Sequence, residues 1–157
     1  MSAIPKIASP DFTFAMGEHV ASFRGDRMYG TNHMWALPVG DRYRFGLTEY
    51  AVRLLQDVYF LDWVVDAGMS VSMRQNIGSI ESKKAESDLY SPIAGVVTAI
   101  NDDALADPSV INASTNDDGW LFEISGDGNG LISPSAYAEH LDKAWVVAQR
   151  TIKGQMN

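Results

Sequence analysis

The sequence contains no cysteine, and this absence removes several kinds of chemistry at once. Without cysteine the chain has no disulfides, no thiolate metal sites and no cysteine nucleophile. Long apolar runs are missing as well, because the longest candidate, residues 58–65, is interrupted by Asp62 and falls far short of the roughly 20 residues that span a bilayer. The first thirty residues lack a basic start followed by an apolar core. We therefore expect no secretory signal, no membrane insertion and a cytoplasmic location.

Positive charge is also scarce. The 157 residues include 12 lysines and arginines against 20 aspartates and glutamates, which gives a formal net charge of −8. A chain with this balance repels nucleic-acid phosphates, so we predict no nucleic-acid partner. The surplus of carboxylates would steer docking on a basic protein surface, and it suits simple solubility equally well.

The residues that are present predict one domain rich in short strands. The apolar fraction of 46% is ordinary for a globular protein, and the length suits a single core. Polar and apolar residues alternate over residues 42–47, which predicts a half-buried strand. Thr48 is positioned to cap a short helix that ends at Leu55. Ser133 is positioned to cap a last helix, whose apolar stripe lies within residues 137–148.

Two further expectations concern burial and loops. Within the first short helix, Ala51, Leu54 and Leu55 are predicted to face the core. Residues 102–118 are rich in aspartate, asparagine, serine and proline, so we expect a long loop that includes a helical turn.

The most informative segment is a short acidic run with two lysines at its centre, Glu81-Ser82-Lys83-Lys84-Ala85-Glu86-Ser87-Asp88. Apolar residues that suit strands flank this run on both sides, including Ile77 and Ile80 before it and Val96 and Val97 after it. The pattern predicts a β-hairpin that holds a lysine out at its tip. A lysine in such a turn does little alone, so the pattern favours one to which another enzyme attaches a reactive arm.

This run resembles the lipoylation site of the glycine cleavage H proteins and, more distantly, the lipoyl domains of 2-oxoacid dehydrogenases. The shared pattern is Glu-Ser-x-Lys-Ala-x-Ser-Asp, then Tyr-Ser-Pro, then Gly95 eleven residues after Lys84. Segments typical of H proteins also occur at residues 101–108 and 119–122, and the likeness spans roughly residues 29–141. The resemblance implies that Lys84 carries covalent lipoic acid, because the modified lysine directly precedes alanine. Lys83 stands where the family often has valine.

The same resemblance implies a mainly β fold, a lipoyl-domain-like flattened β-barrel (barrel-sandwich hybrid) with short helices and a C-terminal helix. It divides the chain into an N-terminal extension, residues 1–28, and an H-protein-like lipoyl domain with its helix, residues 29–157. It also implies a carrier that is a substrate of its partner enzymes and not an enzyme. Consistently, the sequence offers no nucleophile, base and orienting group at a recognisable spacing. His19 and His140 lack ligand-like neighbours, so no metal site is expected.

Three carboxylates near the predicted attachment site, Glu81, Glu86 and Asp88, are expected to frame Lys84 for a lipoate ligase or lipoyl transferase. A biotin arm is a weaker alternative, because biotin carriers place methionine on both sides of the modified lysine and this chain does not. An unmodified scaffold or binding module of the same fold is the alternative from another functional class.

One segment departs from the H-protein pattern. The family carries a Ser-His-Glu-Trp type segment whose glutamate is thought to help hold a cationic aminomethyl cargo, whereas this chain has Asn32-His33-Met34-Trp35. A methionine sulfur accepts hydrogen bonds only weakly, and a buried cation without a carboxylate is costly. Asp88 matches a second polar position of the same pocket. By this resemblance Asn32, His33, Met34 and Asp88 form the pocket that cradles the arm.

These departures lead us to favour a cargo other than a methylamine. The N-terminal segment, Met34, Lys83 and residues 60–63 resemble a branch of lipoate-binding proteins that serve heterodisulfide-reductase-like sulfur oxidation. The predicted function is therefore a lipoate carrier that shuttles sulfur to a heterodisulfide-reductase-like complex. The alternative is the aminomethyl carrier, or H protein, which works with the glycine decarboxylase system.

Overall fold

A computed structural model describes the backbone of residues 3–156 and the side chains up to residue 151. The strands are β1 Phe12–Met16, β2 His19–Phe23, β3 Met28–Tyr29, β4 Met34–Val39, β5 Arg42–Leu47, β6 Val58–Trp63, β7 Ser70–Val71, β8 Asn76–Ser82, β9 Glu86–Tyr90, β10 Gly95–Ile100 and β11 Phe122–Ser125. The helices are α1 Glu49–Leu55, α2 Asp102–Ala106, α3 Ser109–Ala113 and α4 Pro134–Met156. The predicted mainly β fold with short helices and a C-terminal helix is confirmed.

Two antiparallel sheets enclose the main core. One has the strand order β3-β4-β5-β11-β10-β7, and the other has the order β6-β8-β9. Their inner side chains meet in one cluster, in which Phe45 and Ile124 of the first sheet and Ile80 of the second are fully buried. Alternation of inward and outward residues along each strand produces this arrangement, because successive side chains point to opposite faces.

Helix α1 joins the two sheets and begins where the sequence predicted. The Thr48 hydroxyl accepts a hydrogen bond from the backbone N–H of Ala51 at 3.3 Å, as expected of a helix cap. The fully buried residues of the helix are Tyr50 and Val52. The prediction for its buried face is wrong for Leu54, which is exposed, whereas Ala51 and Leu55 are half-buried and pack against the main core. The physical reason is that this side of the short helix borders an open cavity.

A second core forms between the N-terminal segment, the first sheet and α4. The hairpin β1–β2 packs Phe23 against Tyr29 and Tyr137, whose rings stack with centroids 4.5 Å apart. Helix α4 begins at Pro134, and the Ser133 hydroxyl accepts a hydrogen bond from the N–H of Ala136 at 3.2 Å, which confirms the predicted cap. The N-terminal segment therefore packs into this second core together with residues of the first sheet and of α4.

Residues 102–118 also differ from the prediction, because they contain two short helices, α2 and α3, and not a long loop with one helical turn. Asn101 caps α2 by accepting a hydrogen bond from the Asp103 N–H at 3.2 Å. Among the helices of the described residues, we find none with the length and apolarity needed to cross a membrane.

Candidate functional site

The predicted lysine hairpin is present, with residues 83–85 as the exposed turn between β8 and β9. Ser82, at the base of the turn, is buried. Its hydroxyl donates to the Ala85 carbonyl at 3.0 Å and accepts from the N–H groups of Lys84 and Ala85 at 3.3 and 3.1 Å. The Ser82 N–H also donates to the Ala85 carbonyl at 2.8 Å. Ser82 therefore fixes the backbone of the turn from which the exposed Lys84 side chain extends.

The loop after α1 supports the turn from the side. The Lys83 N–H donates to the Asp57 carbonyl at 2.9 Å, and the Lys84 N–H makes a longer contact with the Leu55 carbonyl at 3.4 Å. These bonds join the turn to a different part of the chain. The position of the lysines consequently depends on where residues 55–57 lie.

Asn112 of α3 holds that supporting loop in place. Its side-chain oxygen accepts a hydrogen bond from the Val58 N–H, and its side-chain nitrogen donates to the Gln56 carbonyl, both at 2.9 Å. Gln56 has a φ of 63°, a left-handed conformation that is uncommon for residues other than glycine. The two hydrogen bonds stabilise this conformation and so connect α3 to the lysine turn.

The predicted recognition carboxylates lie beside the turn on two adjacent strands. Glu81 and Glu86 are directly opposite each other, and Asp88 is opposite Ser79. None of the ion pairs found among the described side chains involves these three carboxylates. They are therefore available to a cationic surface that approaches the turn.

A cavity of about 310 Å³ lies beside the hairpin. All four residues predicted to cradle the arm line it, namely Asn32, His33, Met34 and Asp88. The α1 side chains that sequence reasoning assigned to the core also line it, namely Ala51, Leu54 and Leu55. An apolar helix face and a polar turn thus meet at one cavity, next to the strand that carries Asp88.

The buried and exposed walls of this cavity differ in character. Met34 is only 1% exposed and packs into the main core. Asn32 donates from its side-chain nitrogen to the Tyr90 carbonyl at 3.0 Å, which ties the turn before β4 to the end of β9. Asp88, the carboxylate among the lining residues, is exposed. Negative charge is therefore offered at the outer edge of the cavity and not against Met34.

His33 forms part of the inner wall and is held by hydrogen bonds. A bond of 2.8 Å joins its Nδ1 to the Tyr137 hydroxyl, which lies 3.1 Å from the Thr48 hydroxyl. Burial lowers the pKa of His33 to about 4, and the nearby His140 contributes in the same direction. The imidazole is consequently neutral at pH 7. It offers the cavity a polar group without a charge.

Sequence reasoning missed Asn112 and Tyr137 as parts of this site. Asn112 is separated by 54 residues from Val58, and Tyr137 by 104 residues from His33. No local pattern signals such contacts, because they arise only when α3 and α4 pack against the barrel. In the sequence Tyr137 is visible only as one member of an apolar helix stripe.

We expect Asn112→Ala to loosen the lysine turn. The Val58 N–H and the Gln56 carbonyl would lose their partners, which should lower the free energy of unfolding by about 1–3 kcal/mol. Under native conditions, amide hydrogen exchange in this variant should be accelerated more at Lys83 than at Ile80. Asn129→Ala is the matched control, because its side-chain nitrogen bonds only within an exposed turn, to Asp127. Equal exchange rates at Lys83 in both variants would contradict the proposed support of the lysine turn by Asn112.

We also expect His33 to make stability depend on pH. The folded chain resists protonation of His33 down to about pH 4, whereas the unfolded chain binds that proton near pH 6.5. The unfolded state binds more protons in between, so this contribution is complete above pH 6.5 and is lost as the pH falls towards 4. The shift corresponds to on the order of 3 kcal/mol.

The check is denaturant unfolding of the wild type and His33→Asn between pH 7 and pH 4. Asparagine tolerates the positive φ of 67° at this position. The wild type should lose more unfolding free energy than the variant as the pH falls. Parallel losses in the two proteins would show that His33 is not the titrating group.

Comparison with known proteins gives one consistent result. The sequence profile of the family described as "Glycine cleavage H-protein" matches residues 27–144. A glycine cleavage system H protein of Sodalis glossinidius is 38% identical over 120 residues, which cover 73% of this chain and 91% of that protein. One of Pseudoalteromonas atlantica is 34% identical over 129 residues, covering 79% and 99%.

A solved structure agrees with these relatives. The crystal structure of a glycine cleavage system H protein from Mycobacterium marinum superposes with a TM-score of 0.69 at 31% identity, covering 76% of this chain and 99% of that one. The names of these proteins refer to glycine cleavage, so the predicted sulfur pathway and heterodisulfide-reductase-like partner receive no support. The alternative prediction is better supported. The chain belongs to the glycine cleavage H-protein family of lipoyl carriers, which are not themselves enzymes.

Proposed function

We propose that Lys84 is the lipoyl attachment site and that the chain serves as the aminomethyl carrier of a glycine cleavage system. The observation that carries this proposal is the exposed Lys84 at the tip of a hairpin whose backbone Ser82 fixes. A modifying enzyme needs an amine that is both reachable and held in one place. The loop at residues 55–57 supplies the second support that this geometry requires.

The residues near Lys84 fit a lipoyl group. Such a group has an aliphatic body, and the cavity of about 310 Å³ presents Leu54, Leu55 and Ala51 along one side. Asn32 and Asp88 supply polar atoms at its edge. When bound, the group provides a dithiol on a long tether, which this cysteine-free chain does not contain. The tether keeps the cargo at a high effective concentration near each partner.

The charges around the cavity support one position for a positively charged cargo. Beside Met34 and neutral His33 an ammonium would be buried without a carboxylate partner, which is costly. Asp88 is exposed at the outer edge of the same cavity. In our proposal Asp88 therefore holds the ammonium of the aminomethyl cargo, and the apolar inner wall contacts the uncharged body of the arm.

The partners in this proposal are a lipoate ligase or lipoyl transferase, which modifies Lys84, and the glycine decarboxylase system, which uses the modified chain. Glu81, Glu86 and Asp88 present negative charge beside the lysine to the modifying enzyme. Unpaired carboxylates of this kind favour encounters with a basic surface. Because the chain is a carrier, its own contribution is position and recognition and not bond chemistry.

Lys84→Arg should abolish modification, whereas Lys83→Arg should leave it intact. Both lysines are exposed in the same turn, so the second variant is a matched control for charge and position. The measurement is intact mass after incubation with a lipoate ligase, followed by peptide mapping across residues 74–101. Lipoylation of Lys83 in place of Lys84, or of neither, would contradict the proposed attachment site.

The second test addresses the cargo. With glycine and glycine decarboxylase, the lipoylated chain should acquire the methylamine carbon, measured as radioactivity transferred from labelled glycine. Asp88→Asn should lower this transfer about tenfold, which corresponds to about 1.4 kcal/mol of lost charge interaction. Glu86→Gln is the control, since Glu86 lies on the same strand outside the cavity lining. An absence of transfer to the wild type would refute the glycine cleavage role.

A further inference from the structure

Two exposed aromatic side chains lie on the outer face of the β6-β8-β9 sheet. Tyr59 is 62% exposed and Phe60 is 46% exposed, although they are consecutive residues of β6. The register between β6 and β8 shifts between Val58 and Phe60. This bulge interrupts the usual alternation, so both rings face solvent where a regular strand would bury one of them.

The aromatic pair lies at the base of the lysine hairpin. Phe60 is paired with Glu81, and Val58 is paired with Ser82, the residue that fixes the turn. Any protein that covers the base of this hairpin on its outer side must therefore contact the two rings. Large exposed aromatic side chains next to a modification site are candidate anchors for a partner, because aromatic residues supply much of the binding energy at interfaces.

The charges around the rings specify the chemistry of that partner. Phe60 of β6 pairs with Glu81 of β8, which pairs in turn with Glu86 of β9. In the neighbouring row Asp62 pairs with Ser79, which pairs with Asp88. None of the ion pairs among the described side chains involves these carboxylates. A complementary surface has apolar groups for the rings and arginine or lysine for the carboxylates. Arginine suits both, because its guanidinium also stacks on aromatic faces.

We propose that Tyr59 and Phe60 anchor the enzyme that attaches the lipoyl group, through a basic, arginine-bearing surface of that enzyme. This inference rests on the proposed attachment at Lys84. An attaching enzyme must bring its active site to the lysine amine, so its surface covers the base of the hairpin. Enzymes that act on the loaded arm meet the far end of a tether and need not contact this base.

The test is steady-state lipoylation of the unmodified chain by a lipoate ligase at varied chain concentration. The double variant Tyr59→Ser/Phe60→Ser should raise KM about tenfold with little change in kcat, since it removes two anchors of the encounter complex and leaves the lysine turn intact. Val64→Ser is the matched control. Val64 is 64% exposed and directly follows β6 at the end away from the lysine turn, so its KM should stay at the wild-type value.

Three further measurements separate docking from folding and from general surface effects. The exchanged pair Tyr59→Phe/Phe60→Tyr keeps both rings and should restore KM. Thermal unfolding of the double variant should match that of Val64→Ser, because both rings are exposed. Once fully lipoylated, the double variant should be reduced by a lipoamide dehydrogenase at the wild-type rate. An equal loss in that reaction would overturn the assignment to the attaching enzyme.

Peptide mapping of the wild type distinguishes the two ways of failing. If the ligase leaves Lys84 bare, the proposed attachment site fails and the docking surface falls with it. If Lys84 is modified and the double variant shows an unchanged KM, the docking surface alone is refuted. Raised ionic strength should increase the wild-type KM, because salt screens the attraction between the carboxylates and a basic partner. A salt-independent KM would contradict the basic surface.

Discussion

The hydrogen bonds of the Ser82 hydroxyl are the constraint on which the site depends. One small buried side chain bonds to the backbone at both Lys84 and Ala85, so the exposed turn cannot open without breaking several bonds together. An exposed turn would otherwise be among the most variable parts of a chain. Here the turn has a fixed backbone and a free side chain, and a lysine that accepts a long arm requires that combination.

The fixed turn belongs to a longer chain of contacts. Residues 55–57 hold it from the side, Asn112 holds residues 56–58, and α3 carries Asn112. Helix α1 also lines the cavity, whose wall includes His33, and His33 is hydrogen-bonded to Tyr137 of α4. Helix α1 is therefore the shared support of the lysine turn and of the cavity. The buried residues of this helix are Tyr50 and Val52.

Local signals predicted much of the fold, and long-range packing decided the remainder. The hairpin around Lys84 and the caps Thr48 and Ser133 were readable because each depends on neighbouring residues. The inward face of α1 was not readable, since Leu54 is apolar and yet borders an open cavity. The strands of the N-terminal segment escaped prediction because glycines and prolines interrupt its pattern and because the residues on which they pack, such as Tyr137, lie far along the chain.

The site shows the same division. The four predicted cavity residues could be named because a family resemblance specified them, and the structure brings all four to one cavity. Asn112 and the bulge at Tyr59, by contrast, carry no sequence signal. A bulge is a property of strand pairing, so it cannot be read from one strand alone. The predicted sulfur cargo rested on departures from a pattern. In the structure the departure at Met34 falls on the uncharged inner wall of the cavity, and the carboxylate of Asp88 lies at the outer edge.

The second core has a consequence for how this protein can diverge from its relatives. Tyr50, which lines the cavity, packs edge-on against Phe14 and Trp145, and both of these lie outside the region that matches the family. Strand β1 and helix α4 thus pack behind the cavity wall through these two rings. Substitutions at Phe14 or Trp145 would change what packs behind Tyr50 without altering any residue that lines the cavity.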